Sequence, residues 1–176
     1  MIIDDFLSQS YADEIENILN SPNQEWYFNK NISQDNKTKN LNYGFSYWIC
    51  HPEAGLTSSR ISFFLQPFLL QIQDSIQANK LVRRRVDMTV CSGQKVLHEP
   101  HVDMPGFSNT TAIYYVSDAD GDTILYNEEQ SSDEYTVKTT VTPKKNRLFV
   151  FDGNLYHTGH SPMTYQNRVL INSNFI

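Results

Sequence analysis

Two periodicities divide this chain. In the first 80 residues apolar positions recur at intervals of three and four, and from Leu81 onward they alternate. Ser10 precedes Tyr11, Ile15, Ile18 and Leu19 at helical spacing, and Asp13 stands three residues after it as in a capping box. A first helix is therefore expected to run to about Asn20, where Ser21-Pro22-Asn23 stops it. A second helical region starts near Thr57 or Ser58 and buries Ile61, Phe64, Leu65, Phe68, Leu69, Ile72 and Ile76 on one side, with a kink or break at Pro67. Between these helices, residues 29 to 42 are rich in Asn, Lys, Ser and Gln, which predicts a mobile surface loop.

In the alternating part, Val86–Cys91, Val96–His101, Thr110–Val116, Thr123–Tyr126, Tyr135–Val141, Arg147–Phe151, Leu155–Thr158 and Arg168–Phe175 read as short strands. Turn signals such as Pro105-Gly106, Asp118-Ala119-Asp120-Gly121 and Pro143-Lys144-Lys145-Asn146 separate them. Eight short strands predict a mainly β (α+β) fold, a double-stranded β-helix (jelly roll) with the N-terminal helices packed on one sheet. No internal repeat or linker interrupts the chain. One domain over residues 1–176 is expected, with 1–80 as helical support and substrate-side loop and 81–176 as the jelly-roll core.

Composition narrows the functional classes. A formal net charge of −6 disfavours a nucleic-acid binder held by phosphate contacts. No apolar run is long enough to span a bilayer, and the start, Met1-Ile2-Ile3-Asp4-Asp5, lacks the basic region of a signal peptide. The two cysteines, Cys50 and Cys91, are far apart and read as small buried thiols of a reducing compartment. A soluble, cytoplasmic protein, monomer or dimer, is the expectation.

The candidate chemistry lies in His101-Val102-Asp103, followed by His157 and Arg168. On a strand, residues i and i+2 point the same way, so His101 and Asp103 can offer a nitrogen and an oxygen to one metal ion. His157 is the candidate third ligand, and two imidazoles with one carboxylate are the set that binds ferrous iron facially. The segment from Asn146 to His157 is an apolar strand, a turn and a histidine; Arg168 opens the last strand eleven residues later. With these residues the chain resembles the Fe(II)- and 2-oxoglutarate-dependent dioxygenases, most closely the prolyl 4-hydroxylase-like members, over about residues 86 to 175. Thr111-Ala112-Ile113-Tyr114-Tyr115-Val116 is similar to the family strand whose second tyrosine helps hold the co-substrate, and Gly121-Asp122-Thr123 occupies the place of a family turn.

The resemblance implies Fe(II) on His101, Asp103 and His157, and the distal carboxylate of 2-oxoglutarate on Arg168, with Tyr115 and Thr123 nearby. It implies consumption of O2, release of succinate and CO2, and hydroxylation of a C–H bond in a small-molecule or peptide substrate, prolyl or other amino-acid groups among the candidates. The retained Asp103 speaks for hydroxylation over halogenation. Cys91 stands where relatives often place a tyrosine, so co-substrate contacts on that side are expected to differ. By the period of two, Asn172 and Asn174 share the face of Arg168, and Asn172 is expected to find its partner in the site, with Asn174 closer to solvent.

Among the other histidines, His98 is expected on the opposite face from His101, His160 competes less well than His157 for the metal, and His51 reads as a loop residue. Arg83-Arg84-Arg85 reads as solvated charge paired with nearby acids, with a grip on an anionic substrate as the second reading. Tyr43, Tyr47 and Trp48 read as strand core or as a substrate wall. Two rival functions remain: a non-catalytic jelly-roll module, and a cupin-like metal enzyme without 2-oxoglutarate. Arg168 separates them, because only the oxygenase needs an arginine facing the metal.

Overall fold

The structure, a computed structural model, describes residues 1–33 and 41–176. In chain order its elements are β1 (Ile2–Ile3), α1 (Gln9–Leu19), β2 (Tyr27–Asn29), β3 (Gly44–His51), β4 (Gly55–Leu56), α2 (Arg60–Phe64), α3 (Gln66–Ile76), β5 (Leu81–Val90), β6 (Thr110–Tyr115), β7 (Thr123–Tyr126), β8 (Val137–Val141), β9 (Arg147–Asp152), β10 (His157–Gly159) and β11 (Asn167–Phe175). The fold is mainly β, with antiparallel sheets of the jelly-roll type. The larger sheet runs β1-β9-β6-β11-β5-β3-β2, with β4 added to β3, and the smaller runs β10-β7-β8. Among the described residues no helix is long and apolar enough to cross a membrane.

Alternation along the central strands sorts the core into two layers. Ala112, Tyr114, Leu148, Val150, Val169 and Ile171 face the helices and pack with Ala12, Ile15 and Leu19 of α1 and Phe68, Leu69 and Ile72 of α3. Their neighbours Ile113, Tyr115, Phe149, Phe151 and Leu170 point the other way and meet Leu125, Val141 and Leu155 between the two sheets. The same alternation decides which polar side chains share that inner layer. Across β5 and β11 the register sets Thr89 opposite Arg168, Asp87 opposite Leu170, Arg85 opposite Asn172 and Arg83 opposite Asn174.

Several expectations shift in detail. The cap of α1 is Ser8, two residues earlier than the Ser10 expected, and it makes no side-chain cap bond; Asp13 binds Gln9 and Lys145 instead. Pro67 breaks the second helical region into α2 and α3, standing in the first turn of α3 where its missing N–H costs nothing. The strand expected at Val96–His101 reduces to two isolated bridges, Leu97 with His160 and His101 with His157. Pro100 has no N–H to give a ladder, and the amides of Val96 and Glu99 are taken by the Ser161 and Ser33 hydroxyls. Cys50 is buried in β3, but Cys91 falls just past β5 and is only half-buried. Of the polar loop expected at 29 to 42, Asn29 ends β2, and residues 34–40 lie outside the described residues.

One side chain ties the N-terminal segment to the sheet. Asn146 is buried with φ of 64°, a left-handed conformation that asparagine tolerates better than most residues. Its Oδ1 accepts from the Leu7 amide at 2.8 Å and from the Tyr114 hydroxyl at 3.2 Å, and its Nδ2 donates to the Leu7 carbonyl at 2.9 Å. Asn146→Ala leaves these buried groups unpaired. It should lower unfolding stability by roughly 2–4 kcal/mol, read from urea midpoints.

Candidate metal and co-substrate site

The inner layer opens on a cavity of about 90 Å³ beside the ends of β5, β10 and β11, enough for several water-sized groups. Three metal-type donors meet at its wall. The His101 and His157 nitrogens and the Asp103 carboxylate all lie within 4.8 Å of one another. His101 Nε2 is 4.0 Å from Asp103 Oδ1, and His157 Nε2 is 3.7 Å from Oδ2. Among the described residues, this is the one cluster of its kind.

The backbone explains how the triplet converges. His101 and His157 exchange both backbone hydrogen bonds, at 2.9 Å each, which sets their rings 4.8 Å apart. Asp103 then turns back toward them from outside any strand, so His101 and Asp103 come together without the i and i+2 strand geometry expected of them. Each ring is oriented from behind: His101 Nδ1 lies 3.1 Å from the Glu99 carbonyl and His157 Nδ1 3.4 Å from the Leu155 carbonyl. A carbonyl only accepts, so Nδ1 carries the proton and Nε2 presents its lone pair to the cluster.

Asp103 is held as an anion. Burial alone would raise its pKa, but the Arg83 guanidinium, then His157 and His101, overcome that and hold the carboxyl well below the usual carboxylate range. Arg83 Nη1 is 3.1 Å from Oδ1, the Asn172 amide donates to Oδ2 at 2.9 Å, and the Asn174 amide reaches it at 3.4 Å. Burial lowers His157 to about 4, against the opposing pull of Asp103, so the imidazole is neutral near pH 7.

Arg168 faces the same cavity from the far end of β11. It is buried, and among the described residues it makes no ion pair. Nη2 donates to the Thr123 hydroxyl at 2.6 Å, and the Tyr115 phenol donates to the same oxygen at 2.7 Å. Nε has no partner. Burial lowers the Arg168 pKa and raises that of Tyr115, which keeps the phenol a donor. Gly121 lets this corner close, because a Cβ there would strike the His160 carbonyl oxygen and come within 2.9 Å of Arg168 Cδ.

The residues expected in the site thus sit together: His101, Asp103, His157, Arg168, Thr123 and Asn172 line one cavity, with Tyr115 behind Thr123. Asn172 commits its amide to Asp103, and among the described residues its buried Oδ1 has no hydrogen-bond partner. Asn174, expected near solvent, is fully buried among Asp103, Asn109 and Thr111. His98, expected to point away, also lines the cavity, where Nδ1 meets Asn42 Oδ1 at 2.9 Å, outside the donor cluster. His160 is likewise outside it.

Arg83 and Arg84 are buried rather than solvated. The sequence reading missed Arg83 as the partner of Asp103, and Thr89 as a cavity hydroxyl, although period two along β5 places Arg83, Arg85, Asp87 and Thr89 on one face. Tyr47 packs with the helix-side core, and Trp48 lies on the opposite face against Arg83 and Arg85.

Comparison with known proteins gives the fold a context. No protein-family model and no curated protein sequence matches the chain. Solved structures do. A prolyl hydroxylase from Trichoplax adhaerens, in complex with a hypoxia inducible factor peptide fragment, superposes with a TM-score of 0.71 at 17% identity, covering 100% of this chain and 82% of its own. A Pseudomonas putida prolyl-4-hydroxylase gives 0.61 at 12% identity, covering 99% and 91%. HygX from Streptomyces hygroscopicus, with nickel, 2-oxoglutarate and hygromycin B bound, gives 0.64 at 9%, covering 99% and 81%. At such identities the likeness establishes a shared fold.

The burial of a neutral His157 makes the metal-free site acid-sensitive. Its pKa is about 4 when folded against a reference of 6.5, so the unfolded chain takes the proton first, and stability present above 6.5 is lost as pH falls toward 4. Between pH 7.5 and 5 the metal-free protein should lose on the order of 2 kcal/mol, measured by urea unfolding, and His157→Gln should flatten that slope.

Proposed function

We propose that this chain, which has the prolyl 4-hydroxylase-like 2-oxoglutarate oxygenase fold, acts over residues 1–176 as one Fe(II)- and 2-oxoglutarate-dependent oxygenase domain. The observation that carries the reading is the buried Arg168 guanidinium, which makes no ion pair among the described residues, facing the His101, Asp103 and His157 cluster across one cavity. A buried cation left without an anion costs several kcal/mol in order of magnitude. A dicarboxylate in the cavity removes that cost. A non-catalytic module or a cupin-like metal enzyme gives Arg168 no such task.

The residues present fit the two absent groups. Two neutral nitrogens and one anionic oxygen suit ferrous iron. Among the described residues, Arg168 Nε, Asn172 Oδ1 and Thr89 Oγ1 of the cavity make no hydrogen bond, and they suit a polar ligand rather than an apolar one. His101, Asp103 and His157 would hold the metal, and Arg168 and Thr123, backed by Tyr115, would hold the distal carboxylate of 2-oxoglutarate. The bound iron and keto acid would supply the oxidising chemistry, consuming O2, releasing succinate and CO2 and hydroxylating a substrate C–H bond.

The protein's own part is placement and exclusion. Arg168 offers a planar fork to a carboxylate, and the Thr123 hydroxyl, already accepting from Arg168 and Tyr115, can turn its own hydrogen toward that carboxylate. Arg83, Asn172 and Asn174 keep Asp103 ionised and oriented. Ile113 and Leu170 form apolar wall between the two polar ends and keep water from the interval. The substrate class carried by the reading is a small molecule or peptide, with an amino-acid group at the reacting carbon.

Anaerobic addition of Fe(II) and 2-oxoglutarate should produce a charge-transfer absorption band, and admitting oxygen should yield succinate; neither appearing would sink the oxygenase reading. His101→Ala and Asp103→Ala should abolish metal binding. Arg168→Ala should spare the metal and weaken 2-oxoglutarate by about 10- to 100-fold, the range expected for lost charge-assisted hydrogen bonds. An unchanged co-substrate affinity in Arg168→Ala contradicts the carboxylate assignment.

A further inference from the structure

The run Arg83-Arg84-Arg85 is used only in part by the reaction proposed above. Alternation along β5 sends Arg84 to the helix side, where its guanidinium carbon lies 4.9 Å from the Phe68 ring centroid, and sends Arg83 and Arg85 to the cavity side. There both approach Trp48, at 5.6 and 5.4 Å from its ring centroid, within cation–π range. Arg83 is committed to Asp103 and Asn174.

Arg85 differs from Arg83 in what it leaves free. Its Nε lies 2.6 Å from Asp87 Oδ1 as an ion pair that lacks hydrogen-bond geometry, and its guanidinium carbon lies 5.4 Å from the Trp48 ring centroid. Among the described residues, its two terminal nitrogens have no partner. Arg85 and Asp87 line the same cavity as the metal-type donors, and Arg85 stands opposite Asn172, whose amide holds Asp103. A guanidinium paired with a carboxylate on its Nε side leaves its other edge, two parallel N–H groups, in the shape that binds an oxyanion bidentately.

We propose that Arg85 determines substrate specificity, and that the substrate carries an oxyanion group, a carboxylate or a phosphate, which docks on the terminal nitrogens of Arg85 beside the metal cluster. This rests on the oxygenase reading. The charge balance of the interior supports it. Arg83 with Asp103 and Arg85 with Asp87 are balanced pairs. A divalent ion and a doubly negative keto acid would cancel each other, so on the cavity side Arg168 would leave one net positive charge, which favours an anionic entrant over a cationic one. Trp48 and Asp87 hold the fork in place before the substrate arrives, which reduces the ordering cost of binding.

The test uses the full chain with Mn(II) and saturating 2-oxoglutarate, and reads paramagnetic relaxation of probe protons, which reports approach to the metal without turnover. The probes are N-acetylglycine, N-acetylglycinamide and methyl phosphate. N-acetylglycine or methyl phosphate should relax at least about fivefold faster than the amide, a preference of the size one charge-assisted contact supplies, and the stronger of the two identifies the oxyanion. Arg85→Gln should bring that ratio to within about twofold, and Arg85→Lys, which keeps charge without the fork, should fall between. If Arg85→Gln does not fold, the wild-type ratio and Arg85→Lys still decide. Equal relaxation of acid, phosphate and amide in the wild type, or an unchanged preference in Arg85→Gln, overturns the proposal. Absence of the Fe(II) and 2-oxoglutarate absorption band overturns the oxygenase reading and this inference together, whereas a normal band with no anion preference overturns this inference alone.

Discussion

Charge buried between two sheets has to be balanced by opposite charge, and among the described residues the cavity side of this fold leaves one cation, Arg168, without an ion pair. Asp103 is balanced by Arg83, and Asp87 by Arg85. Arg168 makes no ion pair and is held by the Thr123 hydroxyl and the neighbouring Tyr115 ring. A buried guanidinium by itself does not prove a ligand: Arg84 is also buried without an acid, held through Nε by Ser173 Oγ at 3.0 Å, and burial lowers its pKa to about 9. The two differ in what lies in front of them. Arg84 is enclosed by the helix-side core, whereas Arg168 opens on a cavity whose other end carries two imidazoles and a carboxylate. Excess charge in a closed core has no room for a ligand, whereas excess charge facing a polar cavity has room for an anion that would stabilise it.

The pairing of β5 with β11 carries most of this arrangement. Register across these two strands brings Arg83 to Asn174 and Arg85 to Asn172, so the residues that orient Asp103 come from both strands. A slip of one residue would exchange the polar set with Val86, Met88, Val169 and Ile171 and put charge against the helices. The packing of Val86, Val169 and Ile171 in the helix-side core therefore also fixes the site. Fold stability and site geometry share one cause, the strict alternation of apolar and polar positions along two adjacent strands.

Much of this was legible in the sequence, for reasons that also mark where legibility stopped. Period-two patterning located β6, β7, β9 and β11 closely, because each is buried on both faces or strictly alternating. It failed at Val96–His101, where alternation persists but Pro100 and two serine hydroxyls remove the ladder. The convergence of His101, Asp103 and His157 was readable from spacing, yet it arises from a backbone bridge between two histidines 56 residues apart, a long-range pairing that spacing alone does not contain. Burial of Arg83, Arg84 and Asn174 was not legible. Charged and amide side chains are usually exposed, and only the register with β11 shows the partners that permit otherwise.

The central claim is that Arg168 and the three-donor cluster bind the two ends of one dicarboxylate. It is tested most directly by comparing 2-oxoglutarate with 2-oxopentanoate, which keeps the keto acid and lacks the distal carboxylate, in calorimetric titrations of the Mn(II)-loaded protein. The account predicts that 2-oxoglutarate binds at least about tenfold more tightly, since its analogue leaves the buried guanidinium unpaired. Equal affinities for the two acids would contradict it.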